Sequence, residues 1–160
     1  MTPAIDVLDA RILSLFEAEP RVGVLEASRR LGVARGTVQA RLDRLAERGV
    51  VTGWGPQVDP AAVGFPVTAF VTLEIRQAHH EALGAALARI PEVLEVHTIT
   101  GAGDLLCRIV GRTNADLQRV IDAVVDVDGV VRTSTVIALA TQVPHRVMPL
   151  VQAAASAQRH

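Results

Sequence analysis

The sequence predicts an α+β protein with two domains: helices alone over residues 1–52, and a β-α-β-β-α-β order over residues 67–141. Apolar residues recur every three or four positions up to Gly49, whereas from Val67 to Arg76 they alternate with other residues, as in a strand. Glycines and prolines interrupt both patterns over residues 53–66, which we expect to form a wing and linker. Residues 142–160 are expected to be a C-terminal tail that packs on a neighbouring subunit or frays.

Three helices are expected in the first domain. Asp6 is a candidate N-cap of the first helix, and Pro20 ends it. A second helix covers residues 24–31, and a third begins near Ala34 and ends at Gly49. The apolar face of the third helix consists of residues at positions i, i+4 and i+7, namely Val38, Leu42 and Leu45. A β-prone run follows at residues 50–52.

The second domain shows the strand and helix order of a ferredoxin-like fold. Strands are predicted over residues 67–76, 95–100, 105–110 and 130–140, and helices over residues 80–90 and from Thr113 to about residue 124. Both helices of such a fold cover the same face of the sheet. Because several strands are half apolar on both sides, we expect a second copy of the chain to cover the other face.

Composition excludes several classes of protein. The chain has 160 residues, 49% of them apolar, and a net charge of −1, so any basic site must be local. A single cysteine, Cys107, excludes a disulfide framework and fits a reducing cytoplasm. No apolar run approaches the roughly 20 residues that span a bilayer. Neither a cofactor nor a metal site is predicted, since the histidines are scattered without ligand spacing.

A local basic segment covers the second and third helices. Residues 21–48 contain seven arginines and three acidic residues, a balance of +4. Two helices separated by a short turn at Gly32 fit a helix-turn-helix, whose second helix lies in the DNA major groove. The alternative is an ordinary helical hairpin with a solvated charged face.

The third helix carries side chains suited to base and phosphate contacts. A glutamine can bind adenine through two hydrogen bonds, an arginine can bind guanine, and small side chains can contact a thymine methyl group. Gly36 permits close approach of the backbone, and Arg41 and Arg44 are expected to contact phosphates. The predicted DNA-binding residues are Arg35, Gly36, Thr37, Gln39, Ala40, Arg41 and Arg44.

Four motifs follow one another along the chain. They are Ile5-Asp6-x-x-Asp9-x-Arg11-Ile12-Leu13-x-x-Phe16, then Leu31-Gly32-Val33 with Val38-x-x-Arg41-Leu42-x-x-Leu45-x-x-x-Gly49-Val50-Val51, then Thr52-Gly53-Trp54-x-x-x-Val58-Asp59-Pro60-x-x-x-Gly64, and finally Thr100-Gly101-x-x-Asp104. In this order they resemble the Lrp/AsnC, or feast/famine, family of transcriptional regulators. The family's usual serine cap of the recognition helix is Ala34 here, so we expect that helix to lack a side-chain cap. An aromatic residue often precedes the loop aspartate, where this chain has Gly103.

The resemblance implies a winged helix-turn-helix that binds double-stranded DNA, joined to an effector-binding and dimerisation domain. It also implies homodimers formed through the second domain, often assembled four to a ring as an octamer. An amino acid or related small molecule would bind between dimers near residues 101–104. The residues implied for the effector are Thr98, Thr100, Gly101, Ala102, Gly103, Asp104, Thr133 and Thr135. Among them, Asp104 could pair with an α-ammonium group.

Two alternative functions use the same scaffold. Siroheme decarboxylases resemble this family and carry a histidine-rich motif in the first strand of the second domain. Here residues 67–73 contain neither histidine nor arginine, so we expect a regulator rather than an enzyme. The second alternative is a ligand-responsive assembly module that binds DNA weakly.

Overall fold

The computed structural model describes residues 5–76 and 80–157. The chain divides into two compact units: an N-terminal unit formed by the residues up to Pro56 together with those from Val143 onward, and a C-terminal unit over Gln57–Gln142. Helices make up the first unit, and the second is a four-stranded sheet with two helices. The predicted α+β organisation is therefore confirmed.

Helix α1 (Val7–Ala18) begins at a reciprocal capping box. The N–H of Asp9 donates to the carboxylate of Asp6 over 2.8 Å, and the N–H of Asp6 donates to the carboxylate of Asp9 over 3.2 Å. Two N–H groups that the helix leaves without partners are thereby satisfied. The predicted cap at Asp6 is confirmed.

Helices α2 (Val24–Leu31) and α3 (Arg35–Glu47) both end at a glycine with positive φ. Gly49 has φ of 69°, and the N–H of Val50 then reaches the carbonyl of Leu45 over 2.9 Å. This Schellman arrangement turns the chain sharply after α3. The β-prone run at residues 50–52 does not form a strand, because the N–H groups of Val50 and Val51 both bond to the carbonyl of Leu45.

Helix α6 (Met148–Ala157) packs on α1, so the tail prediction is corrected. Ala155 is buried with Ile5, Ala10 and Leu45 in one apolar cluster. Pro149 is the second residue of α6, where the helix needs no N–H donor. Helix α6 therefore completes the core of the N-terminal unit.

The C-terminal unit has strands β1 (Val67–Ile75), β2 (Val93–Thr98), β3 (Leu105–Gly111) and β4 (Val130–Ala138), paired antiparallel in the order β2-β3-β1-β4. In the register, Val71 of β1 lies opposite Cys107 of β3 and Thr135 of β4. Helices α4 (His80–Leu87) and α5 (Asn114–Val125) contribute Leu83, Leu87, Leu117, Val120 and Val124 to a single core with the sheet. Both helices therefore cover one face, as predicted, and each helix and strand predicted for this unit lies within about three residues of its observed position.

The opposite face of the sheet leaves apolar side chains exposed. Phe70 of β1 lies beside Val136 of β4, and the two are 36% and 63% exposed. No helix in the described part of the chain is both long and apolar enough to cross a membrane.

Candidate functional site

Helix α3 presents a face without bulky apolar residues. Val38, Leu42 and Leu45 are buried, as predicted, and the helical repeat turns the opposite side outward. Six of the seven predicted DNA-binding residues are exposed on this helix: Arg35, Gly36, Thr37, Gln39, Ala40 and Arg44. Gly36, Ala40 and Arg44 lie opposite the buried side, whereas Arg35 is in the first turn beside its border. Gly36 and Ala40 lie near the middle of this face, so the helix backbone can approach a groove closely.

The first turn of α3 lacks a side-chain cap, as expected from Ala34. Ala34 has extended backbone angles but offers no acceptor, and the N–H of Thr37 bonds only to the carbonyl of Ala34 over 3.0 Å. N–H groups near this end therefore remain available to a phosphate, which also favours the positive end of the helix dipole.

Arg41 does not occupy the position expected of a phosphate contact. Its guanidinium bonds to the carboxylates of Asp6 and Asp9, the latter at 2.9 Å, and its side chain is only 24% exposed. Asp9 itself is 1% exposed, and a carboxylate buried in this way needs hydrogen-bonded partners such as Arg41. Arg41 therefore fastens α3 to the start of α1.

We call the ion pairs of Arg41 with Asp6 and Asp9 the α1–α3 anchor. Arg44 lies beside this anchor and is partly exposed to solvent. Its Nη2 lies 3.5 Å from the Oδ1 atom of Asp9, while half of its side chain is exposed. Arg35, in contrast, makes no side-chain hydrogen bond or ion pair within residues 5–76 and 80–157.

The positive charge of residues 21–48 is partly neutralised by acidic residues outside that segment. Glu19 pairs with Arg30, and Asp6 and Asp9 pair with Arg41. The local charge is therefore less positive than the balance of +4 counted from the segment alone.

The ion pairs shift the pKa values of Asp6 and Arg41. Partial burial raises the pKa of Asp6, but the Arg41 guanidinium and the backbone N–H groups of Asp9 and Leu8 together hold it below its ordinary value. Hydrogen bonds to Asp6 and then Asp9 raise the pKa of Arg41. Asp6 and Arg41 are therefore both charged at neutral pH. Sequence reasoning missed the α1–α3 anchor, although Arg41 directly precedes the buried Leu42 and so lies at the border of the apolar face.

In the C-terminal unit, the loop between β2 and β3 is fastened to the end of β1. The N–H of Asp104 donates to the carbonyl of Leu73, and the Oδ2 atom of Asp104 accepts the N–H of Ile75, each over 2.8 Å. Gly103 lies against β1 so closely that an added Cβ would be 2.3 Å from the Thr72 methyl group. A residue with a side chain at this position would therefore clash.

The predicted effector residues fall into two groups. Thr98, Thr100, Gly101, Ala102, Gly103 and Asp104 surround the β2–β3 loop, whereas Thr133 and Thr135 lie on β4 at the other edge of the sheet. Because adjacent strands lie about 4.8 Å apart, Thr98 and Thr133 are roughly 14 Å apart across the sheet. One chain therefore does not bring all eight residues around one small molecule.

A groove that the sequence did not suggest lies between α4 and the edge strand β2. It has a volume of about 400 Å³. Its lining is Gly84, Ala88, Val93, Leu94, Glu95, Val96, Thr98 and Leu105, so it includes only one predicted effector residue. Within the described residues no group of three or more His, Cys, Asp or Glu side chains could hold a metal ion.

Comparison with known proteins identifies both units. Residues 5–52 match a model of winged helix-turn-helix DNA-binding domains, and residues 68–148 match the model of the Lrp/AsnC ligand binding domain. HTH-type transcriptional regulator FL11 of Pyrococcus furiosus is 29% identical over 139 residues, which cover 87% of this chain and 92% of the relative.

Solved structures give the same result. AsnC of E. coli superimposes with a TM-score of 0.83 and 26% identity, covering 92% of this chain and all of that one. The feast or famine regulatory protein of M. tuberculosis, complexed with L-methionine, has a TM-score of 0.79 and 27% identity, covering 89% of this chain and 97% of its own. The chain therefore belongs to the Lrp/AsnC family and is a helix-turn-helix transcriptional regulator with a DNA-binding domain and a ligand-binding domain.

Proposed function

We propose that α3 enters the major groove of double-stranded DNA and that the exposed residues of its outer face make the contacts. Arg35, Thr37, Gln39 and Ala40 face the bases, Gly36 allows the backbone to approach, and Arg44 contacts a phosphate. Arg41 positions the helix instead of contacting DNA. The observation that carries this proposal is the exposure of six predicted residues on a helix whose apolar side, formed by Val38, Leu42 and Leu45, is buried.

The salt dependence of binding tests this proposal. In a fluorescence anisotropy titration on duplex DNA, the logarithm of the affinity should fall linearly with the logarithm of salt concentration, by about 0.9 for each phosphate neutralised. Arg44→Ala should lower this slope by about one phosphate per bound subunit. Arg119→Ala, on α5, should leave the slope unchanged. An affinity that does not vary with salt, or a slope that responds only to Arg119→Ala, would refute the proposal.

The second domain is proposed to bind an amino acid at the β2–β3 loop and to act as a homodimer, with octamers as the larger assembly. Two family members have been solved with L-methionine, one from M. tuberculosis and one from Neisseria meningitidis. A second copy seated on the exposed face around Phe70 and Val136 would cover apolar area, and contacts between copies could complete a pocket that one chain leaves divided. Ligand binding that favours one assembly geometry would then alter the spacing of paired α3 helices and so the affinity for DNA.

Asp104→Asn is the informative variant for the effector. Asparagine still accepts the N–H of Ile75 but carries no charge to pair with an ammonium group. A thermal-shift screen of the twenty amino acids should find a stabilising ligand with the unmodified chain and a much weaker shift with Asp104→Asn, while DNA binding stays intact. An unchanged shift in the variant would exclude Asp104 from the effector site.

The role of regulator is preferred to that of an enzyme. The β1 segment lacks histidine and arginine at residues 67–73, so a histidine-rich decarboxylase motif is absent from this strand. A DNA-binding function and the buried single thiol of Cys107, whose pKa burial raises to about 11, both fit the cytoplasm. Turnover of a tetrapyrrole by the purified protein would overturn this preference.

A further inference from the structure

We infer that Asp43 sets the base preference of Gln39, so that this position of the operator is read as adenine and not as guanine. The inference rests on the proposed placement of α3 in the major groove. It concerns a residue that contacts no base itself in this role and acts by fixing the orientation of its neighbour.

The two side chains meet on the exposed face of α3. The Nε2 atom of Gln39 donates to the Oδ1 atom of Asp43 over 2.8 Å, across one helical turn. An ionised carboxylate only accepts hydrogen bonds, so the amide must turn its NH2 group, and not its oxygen, towards Asp43. The orientation of the amide is therefore dictated by chemistry.

This orientation leaves Gln39 with one free N–H and a free carbonyl oxygen. Adenine presents a matching pair in the major groove, an N7 acceptor and an N6 amino donor. Guanine presents two acceptors, N7 and O6, so the Gln39 oxygen would face an acceptor. Without Asp43 the amide could turn both N–H groups towards guanine, and discrimination between the two purines would fall.

The negative charge of Asp43 also has a cost near DNA. A carboxylate on a surface that approaches phosphates weakens binding to any duplex. Removing the charge should therefore raise the overall affinity while lowering the selectivity. A purely structural role for the Gln39–Asp43 bond does not predict these opposite changes, since an exposed pair of this kind adds only a little to helix stability.

The chain contains its own control for the substitution. Gln118 and Asp122 on α5 form the same pair, with the same 2.8 Å separation and the same spacing of four residues, in the other unit. Asp122→Asn therefore makes the same chemical change away from the proposed DNA surface.

Selection of bound sequences from a library of random duplexes, followed by sequencing, tests the inference. The unmodified chain should prefer adenine to guanine by about tenfold or more at a position that loses its preference in Gln39→Ala. Asp43→Asn should reduce this ratio to within about threefold and bind duplexes more tightly overall, because asparagine permits both amide orientations. Asp43→Glu, which retains a carboxylate, and Asp122→Asn should keep the original ratio.

Two results would overturn the inference: an adenine-to-guanine ratio that survives Asp43→Asn, or a selected motif that is the same in Gln39→Ala and the unmodified chain. Failure of the proposed function has a different signature, because then Arg35→Ala and Arg44→Ala would also leave duplex affinity and its salt dependence unchanged.

Discussion

Replacing Arg41 by methionine should destabilise the N-terminal unit strongly without removing a phosphate contact. The substitution leaves Asp9, which is 1% exposed, with Arg44 as its remaining cationic partner at 3.5 Å. Removing one partner of a buried ion pair costs about 3–5 kcal/mol, and the continued proximity of Arg44 places this case near the lower end, about 3 kcal/mol. A unit of this size should then melt more than about 10 °C earlier.

Fluorescence-monitored unfolding can follow this unit selectively. Trp54 is the single tryptophan of the chain and packs edge-on against Phe16, with ring centroids 5.9 Å apart. Arg29→Met is the matched control, because its ion pair with Glu26 is 3.8 Å long and the arginine is 69% exposed; the expected cost is within about 0.5 kcal/mol. Asp9→Asn combined with Arg41→Met should cost less than the sum of the single changes, by about 1 kcal/mol or more.

The salt dependence of DNA binding distinguishes two roles for Arg41, one that only holds α3 against α1 and one that contacts a DNA phosphate. Under conditions where Arg41→Met is folded, its affinity should decline with salt as steeply as that of the unmodified chain. The reasoning would be refuted if Arg41→Met were no less stable than Arg29→Met, or if it flattened the salt dependence as much as Arg44→Ala.

Three further predictions concern stability. Ala155→Asp should lower the Tm of the N-terminal unit because it buries a charge against α1, whereas the exposed Ala154→Asp should leave the Tm nearly unchanged; equal Tm values would show that α6 does not complete this core. Gly103→Ala should lower the free energy of unfolding by about 1–3 kcal/mol in a chemical unfolding titration, because its Cβ would clash with Thr72. Gly84→Ala, with open space around its Cβ, should not lower the free energy of unfolding. A Gly103→Ala variant as stable as the unmodified chain would contradict the close approach. The pKa of Asp6 is lowered in the folded state, so its contribution to stability is present above the pKa of the unfolded chain, near 4, and is lost as pH falls through the pKa of the folded state. Asp6→Asn should therefore reduce the loss of stability at acid pH. An unchanged curve of stability against pH would disprove this.

Local signals were sufficient to predict most of the fold. Asp6 and Thr113 both cap helices, with the hydroxyl of Thr113 accepting the N–H of Asp116 over 3.0 Å. The buried face of α3 and the alternation in β1 follow directly from the spacing of apolar residues. These features involve residues within a few positions of each other, where periodicity and capping chemistry decide the conformation.

The features that sequence reasoning missed are contacts between distant parts of the chain. Arg41 pairs with Asp9, 32 positions away, and nothing in either local pattern indicates that the pair is buried. The return of α6 to α1 likewise depends on which apolar surfaces remain uncovered after the other helices have packed. For the candidate sites, the residues exposed on α3 could be named from one helical face, but the division of the effector residues between opposite sheet edges required the strand order.

Directed cleavage of duplex DNA tests the central claim most directly. Ala40 lies on the exposed face of α3, and the chain's own cysteine, Cys107, is buried, so Ala40→Cys can be labelled selectively with a DNA-cleaving iron chelate. Ala85→Cys, exposed on α4, is the matched control. If α3 lies in the major groove, the label at position 40 should cut a bound duplex over a few adjacent base pairs and the label at position 85 should produce no localised cuts. Localised cuts from position 85 with none from position 40 would contradict the account.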